Sequence, residues 1–288
     1  MFITYGQNPN HKINANIRSK YEGVGAQYQR IVALISIAKR HNLKYIHIPI
    51  NIGHNYNNDP NWNEKWDNMF NIKKLSENID YKTIKNQYIN LYPVSIEQLL
   101  KYSTTTNLIY YINPFKIFDN NSDYYLSNIQ NDLINAYDEN NSDRILIYDK
   151  TKINIAIHIR VFNKLDDIIN YNDYIHNKNN RHYMTYDMYF NLINKLKEQY
   201  PNSDIHIFSQ EDFFDIHYKK LREIENIKIH FDDLDNFDTF HNLCKSDILV
   251  MGTSSFSILA AFYNKNKIIY LPFNHPPSLK TWIVYKPS

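Results

Sequence analysis

The second half of the chain alternates short apolar runs with segments of helical periodicity, and this alternation constrains the fold more than any other feature. The apolar runs, each predicted as a strand, are residues 153–159, 204–208, 227–231, 247–251 and 267–271. The clearest helical segments between them are residues 186–196, 237–243 and 256–263. Strands that alternate with helices predict a parallel sheet covered by helices on both faces.

The first half begins with a similar unit. Residues 2–5 are predicted as a strand, a Gly-Val-Gly turn at 23–25 precedes a helix over about 26–41, and residues 44–48 form the next strand. The order of strand, glycine turn, helix and strand is typical of a βαβ unit.

The Asn- and Trp-rich stretch 51–71 shows little periodicity and is predicted as a loop. Two interpretations of its tryptophans, Trp62 and Trp66, are open. The first is that they stack on a sugar bound in a cleft below the loop. The second is that they fold the loop onto the body of the domain.

Composition narrows the class of protein. The 288 residues are enough for two domains, and we place the boundary near 145–152, giving domains 1–150 and 151–288. With 32 basic and 30 acidic side chains, the chain lacks the strong positive field of a general nucleic-acid binder. The abundance of Asn, Ile, Lys and Tyr is typical of an AT-rich genome, such as that of a parasite or a large virus.

The sequence also indicates the cellular compartment of the protein. No apolar run approaches eighteen residues, so we expect no membrane span, and the first six residues lack the basic region and apolar core of a signal peptide. The single cysteine, Cys244, excludes an internal disulfide and is predicted to pack in the core. Together these features predict a cytoplasmic protein.

Two predicted strands end in residues suited to phosphate chemistry. His158 and Arg160 are two apart, so they project to the same side where their strand ends. The run Thr253-Ser254-Ser255 follows Gly252 at a predicted helix start, where backbone N–H groups and hydroxyls bind anions. The alternatives are a surface ion pair with a packed histidine, and ordinary helix capping.

In this order and spacing, the residues resemble the fucosyltransferase superfamily of α1,2-, α1,6- and protein O-fucosyltransferases. Three blocks carry the resemblance: Ile-His-Ile-Arg at 157–160, the stretch from 181 to 212 that ends in Phe-Ser-Gln-Glu-Asp, and Leu-Cys-Lys-Ser-Asp-Ile-Leu-Val-Met-Gly-Thr-Ser-Ser-Phe-Ser at 243–257. The resemblance implies a GT-B fold, in which two Rossmann-like domains with parallel sheets face each other across a cleft. The first domain would lie on the acceptor side, and the second would bind the nucleotide sugar.

The resemblance also implies an activity, namely inverting transfer of fucose from GDP-fucose to a glycan hydroxyl without a metal ion. It places Arg160 on the diphosphate and His158 on the nucleotide. The other donor-binding residues that it implies are Gly23, Gly25, Asp238, Thr253, Ser254 and Ser255. Of these, Asp238 lies nearest to the position of a family aspartate that reads the guanine.

The chain departs from the family pattern directly after Arg160. Val161 stands where a second arginine is common, and Phe162-Asn163 replaces a Gly-Asp or Thr-Asp pair. Related enzymes place a carboxylate base shortly after this strand, with a lysine between. Here those positions are Lys164, Asp166 and Asp167, of which Asp167 is the favoured base and Asp166 the alternative. If neither is the base, Glu22 or His182 takes this role, or the enzyme relies on departure of the leaving group alone.

The sequence is also compatible with two other functions. One is a GT-B transferase that uses a different nucleotide sugar, and the other is a non-catalytic nucleotide- or sugar-binding module. A metal site is not expected, because no two of the twelve histidines stand four apart. The acidic run at 232–235 is interpreted as a loop near the base of the nucleotide.

Overall fold

The protein is described by a computed structural model. The structure describes residues 2–5, 23–49, 59–79, 88–91, 95–101, 109–112, 114–160, 186–209, 219–222, 224–231, 233–271 and 279–285. The chain divides into two compact units, Met1–Asp143 and Arg144–Ser288.

The first unit contains a four-stranded parallel sheet in the order β2-β1-β4-β3. Its strands are β1 (Phe2–Thr4), β2 (Lys44–Tyr45), β3 (Tyr88–Leu91) and β4 (Ile109–Ile112). Its described helices are α1 (Val24–Arg40), α2 (Trp62–Phe70), α3 (Ile96–Lys101), α4 (Phe115–Asn120), α5 (Ser122–Leu126) and α6 (Gln130–Asn141), with a 3₁₀ helix at Ile72–Leu75.

Helix α1 starts earlier than the sequence predicts. It begins at Val24, directly after Gly23, so Gly25 lies inside its first turn rather than in a loop before it. Almost every position from Val24 to Ala38 is buried, which is typical of a helix enclosed by its unit. The helix ends at Arg40, where a basic last turn is favourable for the helix dipole.

The prediction of a loop over 51–71 is wrong for its second part, because residues 62–70 form α2. Trp62, Trp66 and Phe70 recur every four residues and therefore share one face of the helix. Trp66 is 0% exposed, stacks on Phe70 at 5.7 Å and meets Trp62 edge-on at 5.8 Å. The two tryptophans pack this segment onto the body of the unit, as in the second of the two interpretations.

The second unit contains a six-stranded parallel sheet in the order β10-β9-β8-β5-β6-β7. Its strands are β5 (Ile153–His158), β6 (Ser203–Ser209), β7 (Ile227–Phe231), β8 (Ile248–Val250), β9 (Lys267–Tyr270) and β10 (Ile283–Val284). Its described helices are α7 (Tyr186–Gln199), α8 (Lys219–Arg222), α9 (Asn236–Lys245) and α10 (Ser255–Tyr263).

The strand order of this sheet reverses at one place. From β5 the chain adds β6 and β7 on one side, and it then returns to add β8, β9 and β10 on the other. In open α/β sheets, ligands bind outside the carboxyl ends of the strands at such a switch point. The topology therefore directs attention to the ends of β5 and β8.

The two faces of the sheet have different roles. Ile155, Ile157 and Ile159 are buried against the apolar side of α7, in a core that continues through β6, β8 and β9. Because side chains alternate along a strand, His158 projects to the opposite face, where it meets α10. One strand thus contributes both to the core and to a polar site.

Cys244 is a free, buried thiol, as expected of a core residue. Within the residues that the structure describes, no helix combines the length and the apolar character that crossing a membrane requires.

A polar cluster lies on the face of β6 and β7 that points away from α7. His206 is fully buried, stacks on His230 at 5.3 Å and places Nδ1 3.1 Å from Nε2 of that ring. His230 Nδ1 in turn lies 2.7 Å from a carboxylate oxygen of Asp233. Burial, with His230 and Lys228 adding to it, lowers the pKa of His206 to about 4.

We expect protonation of His206 to destabilise the fold in mild acid. The unfolded chain binds this proton below about pH 6.5, but the folded chain binds it only below about pH 4, so stability is lost as the pH falls between these values. Between pH 7 and pH 5 the loss should be about 2 kcal/mol of unfolding free energy. Urea titrations at several pH values between 7 and 5 measure this loss of unfolding free energy. In His206→Gln the loss should be smaller by about 2 kcal/mol.

Wild type must be compared with His206→Gln because other groups also titrate between pH 7 and pH 5. Burial raises the pKa of Asp119 to about 6, so this group stabilises the fold as the pH falls. Burial lowers the pKa of His158 to about 3, so this group destabilises the fold in acid, as His206 does. Ser203→Ala, in the same strand, removes a hydrogen bond but no titrating group, so its curve should run parallel to wild type. Equal slopes for wild type and His206→Gln would contradict the prediction.

Candidate functional site

The candidate site is built around the end of β5. Beyond the strand, the backbone N–H of Ile159 donates to the carbonyl of Phe208 at 2.9 Å, and the Ser209 hydroxyl donates to the carbonyl of Ile159 at 2.8 Å. These bonds hold the backbone immediately before Arg160. The arginine is therefore presented, half-buried, at the carboxyl edge of the sheet.

The end of β8 approaches β5 unusually closely at Gly252. A Cβ atom at this position would lie 2.4 Å from the carbonyl oxygen of His158 and 3.0 Å from its Nδ1. Because real Cβ atoms do not approach a backbone oxygen so closely, a side chain here would push the two strand ends apart. The absence of a side chain places the start of α10 directly beside His158.

His158 forms the centre of a small hydrogen-bonded group. Its Nδ1 lies 2.5 Å from the hydroxyl of Ser257, and the same hydroxyl accepts the backbone N–H of Gly252 at 3.2 Å. Burial first, and then the charge of Arg160, lower the pKa of His158 to about 3. The ring is therefore neutral at physiological pH and can donate through one nitrogen only.

The three predicted hydroxyls stand at the start of α10 but in different environments. Ser254 is the N-cap, and its hydroxyl accepts the backbone N–H of Phe256 at 3.2 Å. Ser255 is the first residue of the helix, and Thr253 precedes the cap. Among the described residues, no hydrogen-bond partner is found for the Thr253 side chain, which makes it the better candidate for a ligand contact.

Asp238, the predicted reader of guanine, lies in the first turn of α9. One of its carboxylate oxygens accepts from Arg144 at 3.0 Å, and its backbone N–H donates to the N-cap residue Asp235 at 2.7 Å. A contact with guanine would have to use the second oxygen or displace Arg144. That role remains a prediction.

The roles of the other predicted residues stay predictions. Gly23 and Gly25 belong to the start of α1 in the first unit. Lys164, Asp166 and Asp167 lie outside the described residues, as do the alternative bases Glu22 and His182.

Ser257 is not among the residues predicted to act at the site, although it closes the Thr-Ser-Ser-Phe-Ser run. The resemblance assigned roles only to the first three hydroxyl residues of this run, so its last serine carried no predicted role. Only the approach of β8 to β5 reveals that its hydroxyl meets a histidine 99 positions earlier.

The first unit has a buried polar group that the sequence did not predict. Tyr28 donates to Asp67, His47 Nε2 lies 3.1 Å from the same carboxylate, and Tyr45 lies within 3.1 Å of His47 Nδ1. All four side chains are buried, so the group ties α1 and α2 to the chain after β2. His47 Nε2 lies near the carboxylate but makes no hydrogen bond to it or to any other described residue.

The acidic run 233–235 is also used structurally. Asp233 pairs with His230, and Asp235 caps α9. In the part of the chain that the structure describes, no three His, Cys, Asp or Glu side chains are grouped so that they could hold a metal ion.

Comparison with solved structures identifies proteins that have a similar fold, whereas comparison of sequences finds none. No protein-family model matches the chain, and no curated protein matches it by sequence. The crystal structure of POFUT1 in complex with GDP-fucose matches with a TM-score of 0.52 at 11% identity, covering 92% of this chain and 95% of the other. POFUT1 in complex with GDP gives 0.51 at 10% identity, over 92% and 94%.

The fucosyltransferase NodZ from Bradyrhizobium also matches, over 96% of both chains at 11% identity, with a TM-score of 0.40. The POFUT1 matches extend over nearly the whole of both chains, and both described sheets are parallel. The predicted class, α/β of the GT-B type, is therefore confirmed as the fold of this chain.

Proposed function

We propose that the protein is an inverting glycosyltransferase that transfers fucose from GDP-fucose to a glycan hydroxyl. The observation that carries this proposal is the grouping of a cation, a neutral histidine and a hydroxyl-bearing helix start at the switch point of the second sheet. The shared fold with POFUT1, which was crystallised with GDP-fucose, supports the choice of donor.

Each group has a defined role in this proposal. Arg160 offers a permanently charged planar fork that matches the oxygens of a diphosphate. The first backbone N–H groups of α10, which point out of the helix, add donors and a favourable dipole. Because negative charge grows on GDP as the bond to fucose breaks, these groups stabilise the departing diphosphate and need no metal ion for this purpose.

The proposed general base is Asp167, with Asp166 as the alternative and Lys164 beside them. An inverting transfer needs a group that accepts the acceptor's hydroxyl proton as the hydroxyl attacks. Asp167→Asn should reduce transfer by a factor on the order of 10² while GDP affinity stays at the wild-type value. Normal transfer by both Asp167→Asn and Asp166→Asn would remove these carboxylates from the mechanism.

The donor is tested by isothermal calorimetry with GDP and UDP, followed by hydrolysis of GDP-fucose without an acceptor. We expect binding of GDP in preference to UDP, and slow release of fucose that persists in EDTA. Preferred binding of UDP would indicate a different nucleotide sugar. Binding of GDP without any turnover would indicate a binding module, and strict dependence on Mn²⁺ or Mg²⁺ would contradict the metal-free mechanism.

The hydroxyls of Thr253 and Ser254 are expected to separate ligand binding from helix capping. Thr253→Ala should weaken GDP binding by about 2- to 10-fold, the value of one hydrogen bond, with no change in stability. Ser254→Ala should also cost about 1 kcal/mol of unfolding free energy, because the cap is lost. Calorimetry and urea titration measure the two effects; unchanged GDP affinity in both variants would reduce these hydroxyls to structural roles.

A further inference from the structure

The hydroxyl of Ser257 has a restricted choice of hydrogen bonds. It is fully buried and accepts the backbone N–H of Gly252 at 3.2 Å. The hydroxyl proton then needs an acceptor of its own, and Nδ1 of His158 lies 2.5 Å away. Within the described residues, these are the two hydrogen-bonding contacts of the Ser257 side chain.

This arrangement distinguishes the two neutral forms of His158. If Nδ1 carried the ring proton, both Gly252 and His158 would donate to Ser257, and the buried hydroxyl proton would have no acceptor there. If Nε2 carries the proton, Nδ1 accepts from Ser257 and all three groups are satisfied. The second form leaves Nε2–H as the one ring donor available for a ligand.

We propose that Ser257 is a positioning residue that holds His158 as the neutral Nε2–H tautomer, so that this N–H donates to an oxygen of the bound nucleotide diphosphate. The ligand in this statement rests on the proposed function, whereas the tautomer does not. The backbone of Gly252 takes part, because its N–H is already a donor to Ser257 and leaves Nδ1 of His158 as the acceptor for the serine proton.

The arrangement has a chemical advantage for a diphosphate site. A neutral N–H donor adds a hydrogen bond to the anion without a second full charge beside Arg160, whose charge opposes protonation of the ring. Because the ring is already oriented by Ser257, little rotational freedom is lost when the nucleotide binds. The donor would therefore be available over the whole physiological pH range.

The tautomer is tested first by NMR of protein labelled with ¹⁵N-histidine, in the absence of nucleotide. The His158 signals are assigned by their loss in His158→Gln. We expect a protonated Nε2 and an unprotonated Nδ1 from pH 8 down to pH 5, and loss of this single form in Ser257→Ala. A protonated Nδ1 in the wild-type protein, or titration of the ring near pH 6.5, would overturn the proposal.

The effect on binding is tested by calorimetry with GDP. Ser257→Ala should weaken binding by about 3- to 10-fold, and Ser257→Thr, which keeps the hydroxyl, should recover affinity. Ser203→Ala is the matched control, because it also removes a buried serine hydrogen bond but lies at the opposite end of the sheet. Wild-type affinity in Ser257→Ala would overturn the positioning role.

The two tests also separate this proposal from the proposed function. If the wild-type protein fails to bind GDP, the assigned nucleotide is wrong, while the NMR spectrum still decides the tautomer. If GDP binds and the spectrum shows the other tautomer, the assignment of a guanine nucleotide stands, but the proposed role of Ser257 is wrong. Failure of Ser257→Thr to fold would not affect the wild-type spectrum, which decides the tautomer by itself.

Discussion

Arg160→Ala is expected to lower the rate of fucosyl transfer by about two to four orders of magnitude, by analogy with the loss of an oxyanion-hole donor. The arginine stands at the carboxyl end of β5, at the switch point of the sheet, where a diphosphate would lie. Its positive charge is opposite in sign to the negative charge that develops on GDP. Arg160 therefore stabilises the transition state more than it stabilises the bound donor substrate. The measurement is kcat for transfer, with GDP affinity determined in parallel.

Two further variants sharpen this test. Arg160→Lys should restore little activity, because an ammonium group lacks the planar fork that binds two phosphate oxygens. Arg222→Ala, which removes an exposed arginine stacked near Phe231 in the same unit, should leave the rate unchanged. An active Arg160→Ala protein would exclude Arg160 from the chemistry and would move the donor site elsewhere.

Gly252→Ala is expected to lower the free energy of unfolding by about 3 kcal/mol, because the added methyl group overpacks the junction of β5 and β8. The methyl carbon would meet the backbone carbonyl of His158 at 2.4 Å, and a backbone oxygen cannot move aside as a flexible side chain does. Separation of the two strand ends would also break the bond from Gly252 N–H to Ser257. Urea titration should show the loss of stability, and calorimetry should show weaker GDP binding.

Gly23→Ala is the matched control for stability. Gly23 precedes α1 with φ −74° and ψ 172°, a conformation that alanine adopts without strain, so the change should be within about 1 kcal/mol. Equal stability of Gly252→Ala and wild type would show that the end of β8 has room to move away from β5. The close approach would then not be what holds the site together.

Periodicity predicted the second unit well because its signals are local. The predicted strand 227–231 matches β7, and the predicted helix 256–263 differs from α10 by one residue at its start. The apolar runs that form β6, β8 and β9 are largely buried in the sheet, so the pattern along the chain reports burial directly there. The run that forms β7 is only partly buried, at the edge of the sheet. The terminal residues differ because capping by Ser254 decides where α10 begins.

The first unit was harder to predict, because its segments carry mixed signals. Residues 62–70 read as a loop, since asparagines and charged residues interrupt the apolar positions. The helix is nevertheless stable because Trp66 and Phe70 bury large rings in the body of the unit. Tertiary packing of a few large side chains thus outweighed a weak local preference.

For the candidate site, the sequence alone determined which residue types end each strand: His158 and Arg160 after one, and Gly252 followed by three hydroxyl residues after another. Only the tertiary structure decided that these two ends are neighbours, because strand order depends on how the whole sheet packs. It also decided that Ser257 meets His158 while Ser254 caps its own helix. The physical reason is that local patterns encode burial and turns, whereas hydrogen-bond partners distant along the chain are set by the packing of the sheet.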